Sequence, residues 1–319
     1  MIIDDLLKDI KTLAITGHIK PDGDCVGSNL GLYNYVVNNF PELDVDVFLE
    51  SPQEKLSFLK YCDKINTAYD VDKVYDLMIC LDSASLERIG KAQKYFETAK
   101  HTVNIDHHIS NTNFADENYV HADASSASEA LYNFLDHSKI DRDIAIALYT
   151  GIIFDTGVFK YPLTSPATMR VAADLMEFGI PTNDIIDDSF YAKSYDENRI
   201  IGDAVVNSTL MFDGKAIYSY VSKEKMAEFG VKQSELDGIV PQLRLTKGVL
   251  CAFFMYEIGP CEYKCSLRSK GEFDVNKIAS KYGGGGHMRA AGFNIKGEVQ
   301  ECIDKVMSDI GAALKELGE

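Results

Sequence analysis

Long apolar runs are missing from this sequence. No uninterrupted apolar stretch approaches the roughly 20 residues needed to cross a bilayer, and the best, Val249 to Tyr256, is strand-sized, so no membrane partner is expected. The first eighteen residues mix acid with base and lack an apolar core followed by small residues; they do not read as a secretory signal, and the mature chain is expected to start at Met1. A disulfide framework is missing as well. The 7 cysteines are odd in number and scattered through apolar or mixed surroundings, which fits a reducing cytoplasm. Cys261 and Cys265 approach a zinc half-site, but no second Cys or His pair stands at a useful spacing, and buried or hairpin cysteines are the better reading.

Positive charge is also short. A formal net charge of -17 argues against duplex nucleic acid, because long polyanions are held through many Lys and Arg contacts. The surplus acid lies wholly in the N-terminal part: residues 1–207 hold 17 Lys/Arg against 34 Asp/Glu, whereas residues 208–319 hold 15 of each. Most of these carboxylates read as solvated faces, and a minority as candidate metal ligands. What is present, 46% apolar and 25% charged residues in a chain of 319, is ordinary for a folded protein of two domains.

The N-terminal part alternates strand-like segments (12–16, 45–49, 77–81, 102–105) with helix-like ones (27–38, 86–99, 127–136, 144–154, 167–178). That pattern predicts an α/β fold, a mostly parallel sheet with helices on both faces. Ser126 with Glu129 three residues on has the form of a capping box. Residues 1–185 are expected to form the catalytic domain, 186–207 a helical linker and 208–319 a smaller α/β substrate-binding domain with a glycine-rich loop.

Four segments carry chemistry. His18, Asp22 and Asp24 fall on a short turn between the first strand and a helix, with Gly27 expected to seat that helix against the strand. Asp82 ends the next strongly apolar strand, Asp106-His107-His108 ends the one after, and Asp155 follows an apolar helix. A lone Asp-Gly-Asp is more often a polar turn, and a lone strand-end Asp a helix cap. Four such groups on one sheet rim are instead a carboxylate cluster that repels itself unless cations compensate it. Carboxylates and imidazoles without thiolate suit manganese first, with magnesium or another divalent ion as alternatives. About four negative charges call for two ions, the arrangement used for displacement at phosphorus.

The segments His-x-x-Pro-Asp-Gly-Asp-x-x-Gly-Ser from His18, Leu-Asp-Ser around Asp82, Asp-His-His at Asp106 and Asp-Thr-Gly at Asp155 resemble the four motifs of the DHH phosphoesterase superfamily. The run Gly-Gly-Gly-Gly-His-x-x-Ala-Ala-Gly from Gly283 resembles the signature of the DHH-associated C-terminal domain of the first type. The resemblance implies that His18 and Asp22 hold one metal, Asp24, His107 and Asp155 the other, and that Asp82 bridges them. His108 is then left near the scissile phosphate as proton donor, with Asp106 orienting a histidine. A metal-bridging hydroxide is the expected nucleophile. Arg268, Gly284, Gly285, Gly286 and His287 are implied to grip substrate phosphate, although a glycine run is more often a linker and a lone strand arginine a surface charge.

Within the superfamily the chain is similar to the stand-alone nanoRNase group. The expected substrates are short single-stranded RNA of 2–5 nucleotides and the 3',5'-bisphosphate nucleotide pAp, both cut to mononucleotides. Linear or cyclic dinucleotides (pApA, cyclic di-AMP) are the alternative, and a non-catalytic nucleotide-binding protein is the reading from another class. A homodimer is left open.

Overall fold

A computed structural model describes residues 3–318 and contains two compact units, which divide between Ala192 and Lys193. In the first unit β1 (Thr12–Thr16), β2 (Asp44–Phe48), β3 (Leu77–Leu81), β4 (Thr102–Asp106) and β5 (Glu117–Val120) form a parallel sheet in the order β2-β1-β3-β4-β5. Parallel strands buried on both faces read as unbroken apolar runs. Leu77-Met78-Ile79-Cys80-Leu81 is such a run, and it alternates between two cores. Leu77, Ile79 and Leu81 join Ile15, Val26 and Leu148 on one face, while Met78 and Cys80 join Phe48, Tyr75 and Tyr95 on the other.

The first face is covered by α1 (Gly23–Asn39), α2 (Ala127–Tyr132), α3 (Arg142–Thr156) and α4 (Pro166–Met176). Gly27 does not act as expected. A Cβ there would stand 2.5 Å from the Ala147 carbonyl and 2.8 Å from the Gly151 amide, so Gly27 lets α1 approach α3 rather than the strand. The helix expected over 86–99 is also corrected. Leu86–Ala92 is a 3-10 segment kinked at Gly90 (φ 54°), followed by one α turn, Gln93–Phe96. Strand β5 went unforeseen because its four half-buried residues carry no apolar alternation.

In the second unit β6 (Thr209–Met211), β7 (Ala216–Val221), β8 (Cys251–Gly259), β9 (Glu262–Ser269), β10 (Gly285–His287) and β11 (Ala290–Lys296) form a sheet in the order β10-β11-β9-β8-β7-β6, antiparallel except for β7 with β8. The segment expected as a linker over 186–207 splits. Ile185–Tyr191 is π-helical and buries Ile185 in the first core. Helix α5 (Tyr195–Val206) instead buries Ile200 and Ala204, four residues apart on one face, among Ile217, Val221 and Leu243 of the second unit. It is a packed layer of that unit.

Candidate metal centre and phosphate-binding residues

The carboxyl edge of the first sheet gathers the motif side chains. After β1 the chain turns so that Asp22 caps α1, its Oδ1 accepting the amides of Asp24 and Cys25 at 3.1 Å. His18 is buried, with Nδ1 2.8 Å from the Ile19 carbonyl, and its Nε2 faces Asp82 Oδ2 at 3.3 Å and Asp22 Oδ2 at 3.7 Å. Asp82 follows β3 in the left-handed region (φ 53°), where an Asp is tolerated better than most residues, and this turns its buried carboxylate into the cluster. Its Oδ1 lies 3.5 Å from His107 Nε2 and 3.6 Å from His108 Nδ1. Asp155, in the last turn of α3, places Oδ2 3.2 Å from His107 Nε2.

Asp24 is fully buried in the first turn of α1. Its two oxygens accept the Ala127 amide at 2.6 Å and the Ser128 amide at 3.0 Å, where α2 begins. Ser126 caps that helix through the Glu129 amide at 3.0 Å. The reciprocal half of the expected capping box is not made. Glu129 instead accepts from the Ser125 amide (2.9 Å) and hydroxyl (2.5 Å) and from the Thr168 hydroxyl (2.8 Å), which bolts the start of α2 to α4.

The electrostatics follow from this crowding. Burial, and then the charges of Asp82 and Asp155, push the Asp24 carboxyl well above its ordinary range; burial and Asp82 also raise Asp155, against the pull of His107. Burial opposes the charge of Asp82 too, yet the imidazoles of His107 and His18 hold it well below the usual carboxylate range. The two histidines move the other way. Burial would lower them, but the facing carboxylates raise His18 to about 10 and His107 to about 11. Without metal, protons on His18 and His107 therefore supply the positive charge that the carboxylates demand.

That demand is the test of whether a metal fits. Asp82 Oδ1 and both ring nitrogens of His107 are buried without a hydrogen-bond partner, and buried polar atoms are rarely left so. Asp24, His107 and Asp155 each offer one ligand atom within 4.8 Å of the others, as do Asp82, His107 and His108, and His18, Cys25 and Asp82. Cys25 was not among the expected ligands, and burial pushes its thiol well up, so it is the poorest donor of these. An acidic cluster with orphaned donor atoms fits divalent cations.

His108, half-exposed, is tied to Asp106 through Nδ1 and Oδ1 at 2.8 Å. Two residues that the sequence reading passed over complete this group: Asn111 donates to Asp106 Oδ2 at 2.6 Å and to Asn104 Oδ1 at 2.7 Å. Asn104 lies two residues before Asp106, hence on the same face of β4, and that period was the available signal.

In the second unit, Arg268 on β9 and His287 on β10 are both register partners of Ala290 on β11. Cross-strand partners project on one face, so the guanidinium and the imidazole flank Ala290 there. Gly285, Gly286 and His287 are exposed, and the expected glycine loop is in part the edge strand β10. Gly284 has no room for a side chain, because a Cβ would lie 2.2 Å from the Gly292 carbonyl.

Residues 12–152 match the model of the DHH family, N-terminal domain, and residues 213–316 match that of the DHHA1 domain. The bifunctional oligoribonuclease and PAP phosphatase NrnA of Bacillus subtilis is 29% identical over 312 residues, 96% of this chain and 95% of that protein. A probable bifunctional oligoribonuclease and PAP phosphatase NrnA of Streptococcus mutans is 30% identical over 293 residues, 90% of this chain and 91% of that one. The chain belongs to the DHH family. Among solved structures, an exopolyphosphatase-related protein from Bacteroides fragilis superposes with a TM-score of 0.85 at 26% identity, covering 98% of this chain and 95% of its own. This DHH protein thus shares its two-unit α/β architecture with a solved relative, and DHH phosphoesterases are metal-dependent. Asp155 lies just beyond the N-terminal match, so its place beside His107 is known from geometry alone.

Proposed function

We propose that this chain is a metal-dependent phosphoesterase that hydrolyses RNA of roughly 2–5 nucleotides and the bisphosphate nucleotide pAp to mononucleotides. The observation that carries this reading is the buried line His18–Asp82–His107, flanked by Asp22, Asp24 and Asp155, in a chain similar over nearly its full length to proteins named for both activities. His18 and Asp22 would hold one divalent ion, Asp24, His107 and Asp155 the second, and Asp82 both, with manganese as the first candidate. When bound, the ions supply a lowered pKa for attacking water and neutralise charge on the phosphoryl oxygens.

The chain's own residues do the rest. The amides of Ala127 and Ser128 fix Asp24, and the Ile19 carbonyl fixes the ring of His18. His108 keeps a proton on Nδ1 through Asp106 and presents Nε2 to protonate the departing oxygen. The hydrogen bond from His108 to Asp106 raises the His108 pKa, against burial, which keeps the ring charged at higher pH. Arg268 and His287, with the backbone from Gly284 to Gly286, would hold a substrate phosphate remote from the bond being cut. Few phosphates need contacting in so small a substrate, which suits the acidic first unit and disfavours duplex binding. No described helix is long and apolar enough to cross a membrane.

The deciding experiment is a manganese-supplemented assay on pAp, pApA, cyclic di-AMP, RNA from 2-mer to 10-mer, matched DNA and pyrophosphate. Turnover should concentrate on pAp and the shortest RNA; turnover of pyrophosphate alone would sink the nucleotide assignment.

A further inference from the structure

We propose that Asn111, backed by Asn104, is a positioning residue for the hydrolysis: it clamps Asp106 so that His108 presents Nε2 to the scissile phosphate. The proposal rests on the reading of His108 given above. Its own evidence is the hydrogen-bond chain. Asn111 Oδ1 accepts the Asn113 amide at 2.7 Å, which fixes the amide group the other way round at Nδ2. That NH₂ then meets three acceptors, Asp106 Oδ2 at 2.6 Å, Asn104 Oδ1 at 2.7 Å and the Ser83 carbonyl at 3.2 Å. Asn104 is fully buried on β4 and donates to the carbonyls of Cys80 (3.2 Å) and Ser83 (3.3 Å), so the clamp is anchored to β3 and its following loop.

Asp106, itself fully buried, thus has Oδ2 held by Asn111 and only Oδ1 left for His108 Nδ1 at 2.8 Å. With Nδ1 committed, the ring nitrogen available to a ligand is Nε2. The backbone N–H of Asn111 donates to the His108 carbonyl at 3.1 Å, which closes the turn that carries the ring. The clamp serves His108 and not its neighbour, because both ring nitrogens of His107 lack any hydrogen-bond partner. A row of amides that ends on a half-exposed imidazole is an orienting device; a purely structural one would end in the core.

The test uses the full chain loaded with manganese, with pAp as substrate. Asn111→Ala should lower kcat about 10- to 100-fold with KM and manganese content unchanged, the size expected when a partner behind a working group is lost. Asn111→Asp preserves shape but turns an oxygen toward Asp106, so it should not restore the rate; Asn111→Ser, a short donor, should restore part of it. In a His108→Ala background, adding Asn111→Ala should change the rate by less than about twofold, since the group being oriented is gone. The proposal is overturned by full activity in Asn111→Asp, by manganese lost together with activity, or by an undiminished further loss in the His108→Ala background. Full activity in His108→Ala alone would instead refute the role of His108 itself. If Asn111→Ala does not fold, Asn104→Ser is read by the same criteria, with a smaller loss.

Discussion

At the amino edge of the first sheet, Asp76 and Asp116 each stand one residue before a strand and reach to the start of its neighbour. Asp76 Oδ2 accepts the amides of Lys11 (2.8 Å) and Thr12 (3.1 Å), and the Thr12 hydroxyl accepts the Asp76 amide at 2.9 Å. Asp116 repeats the clasp on Thr102, with 2.9 Å to the amide, 2.8 Å to the hydroxyl, and 2.9 Å for the return bond from its own amide. Lys100, 2.6 Å away, and then the Lys11 amide hold Asp76 well below the usual carboxylate range; Thr102 lowers Asp116. At the carboxyl edge of the same strands, Asp24 and Asp155 are pushed up, and buried atoms of Asp82 and His107 lack partners. One residue type therefore does two jobs. Where each carboxylate meets its own donors it ties strands together; where carboxylates outnumber donors, the edge is left needing a cation.

The sharpest way to break this contrast is to remove one charge from each edge without changing shape. Asp82→Asn keeps a residue that tolerates a left-handed backbone, so the substitution isolates the charge. It should lower kcat/KM on pAp by about 10³-fold or more and reduce bound manganese, because both proposed metal positions share this carboxylate. Asp76→Asn should leave kcat/KM and manganese content at parent values. Elemental analysis and steady-state kinetics on the two variants check this, and equal losses would erase the distinction between the edges.

A smaller effect lies in the pH dependence of the metal-free protein. His18 and His107 have folded values near 10 and 11, above the ordinary 6.5. A raised value means that the native state binds more protons than the unfolded one, so this stabilisation is full below about pH 6.5 and is lost as pH rises toward 10 or 11. The raised carboxyls of Asp24 and Asp155 add to the same trend. The metal-free Tm should thus fall from about pH 6.5 upward. Manganese should flatten that slope and, at a hundredfold excess over Kd, add about 2.7 kcal/mol. Thermal melts across this window check it: Asp76→Asn should keep the slope, His107→Ala should weaken it, and a parent slope of the opposite sign would contradict the account.

Most strands, and the motif side chains that gather at the carboxyl edge, were legible in the sequence because their signals are local. Apolar runs name β1, β3 and β8, and the turns after β1, β3 and β4 carry His18, Asp82, His107 and His108 within two residues of a strand end. What escaped depends on register. Asn104 and Asn111 are 7 residues apart and meet only because the chain turns back after His108. Thr12 and Asp76 are 64 apart and meet only because β1 pairs with β3. Gly90 broke a helix by its backbone angle, and the close approach of Gly27 to α3 required knowing which helix lay beside it.

The smallest expected effect concerns the amino edge alone. In Asp76→Asn one amide oxygen can still accept from Lys11 or Thr12, but the charge facing Lys100 is gone, and solvent at this edge screens much of that pair. The loss should be about 1 kcal/mol, or about 2 to 4 °C in the melting of the first unit. Its sign in pH is opposite to that of the carboxyl edge. A lowered folded value means that the stabilisation is full above the unfolded value near 3.9 and is lost only as pH falls on through the folded value, well below it. Parent and variant should therefore differ at pH 6, begin to approach one another below about pH 4 and converge only in much stronger acid. Asp116→Asn should behave alike, because the Thr102 clasp repeats the Thr12 one, and the double variant should be additive, since the two clasps share no residue. Melts of the three variants at pH 6 and at about pH 2 decide it: a gap undiminished in strong acid would mean that these aspartates stabilise the sheet by shape and packing and not by charge.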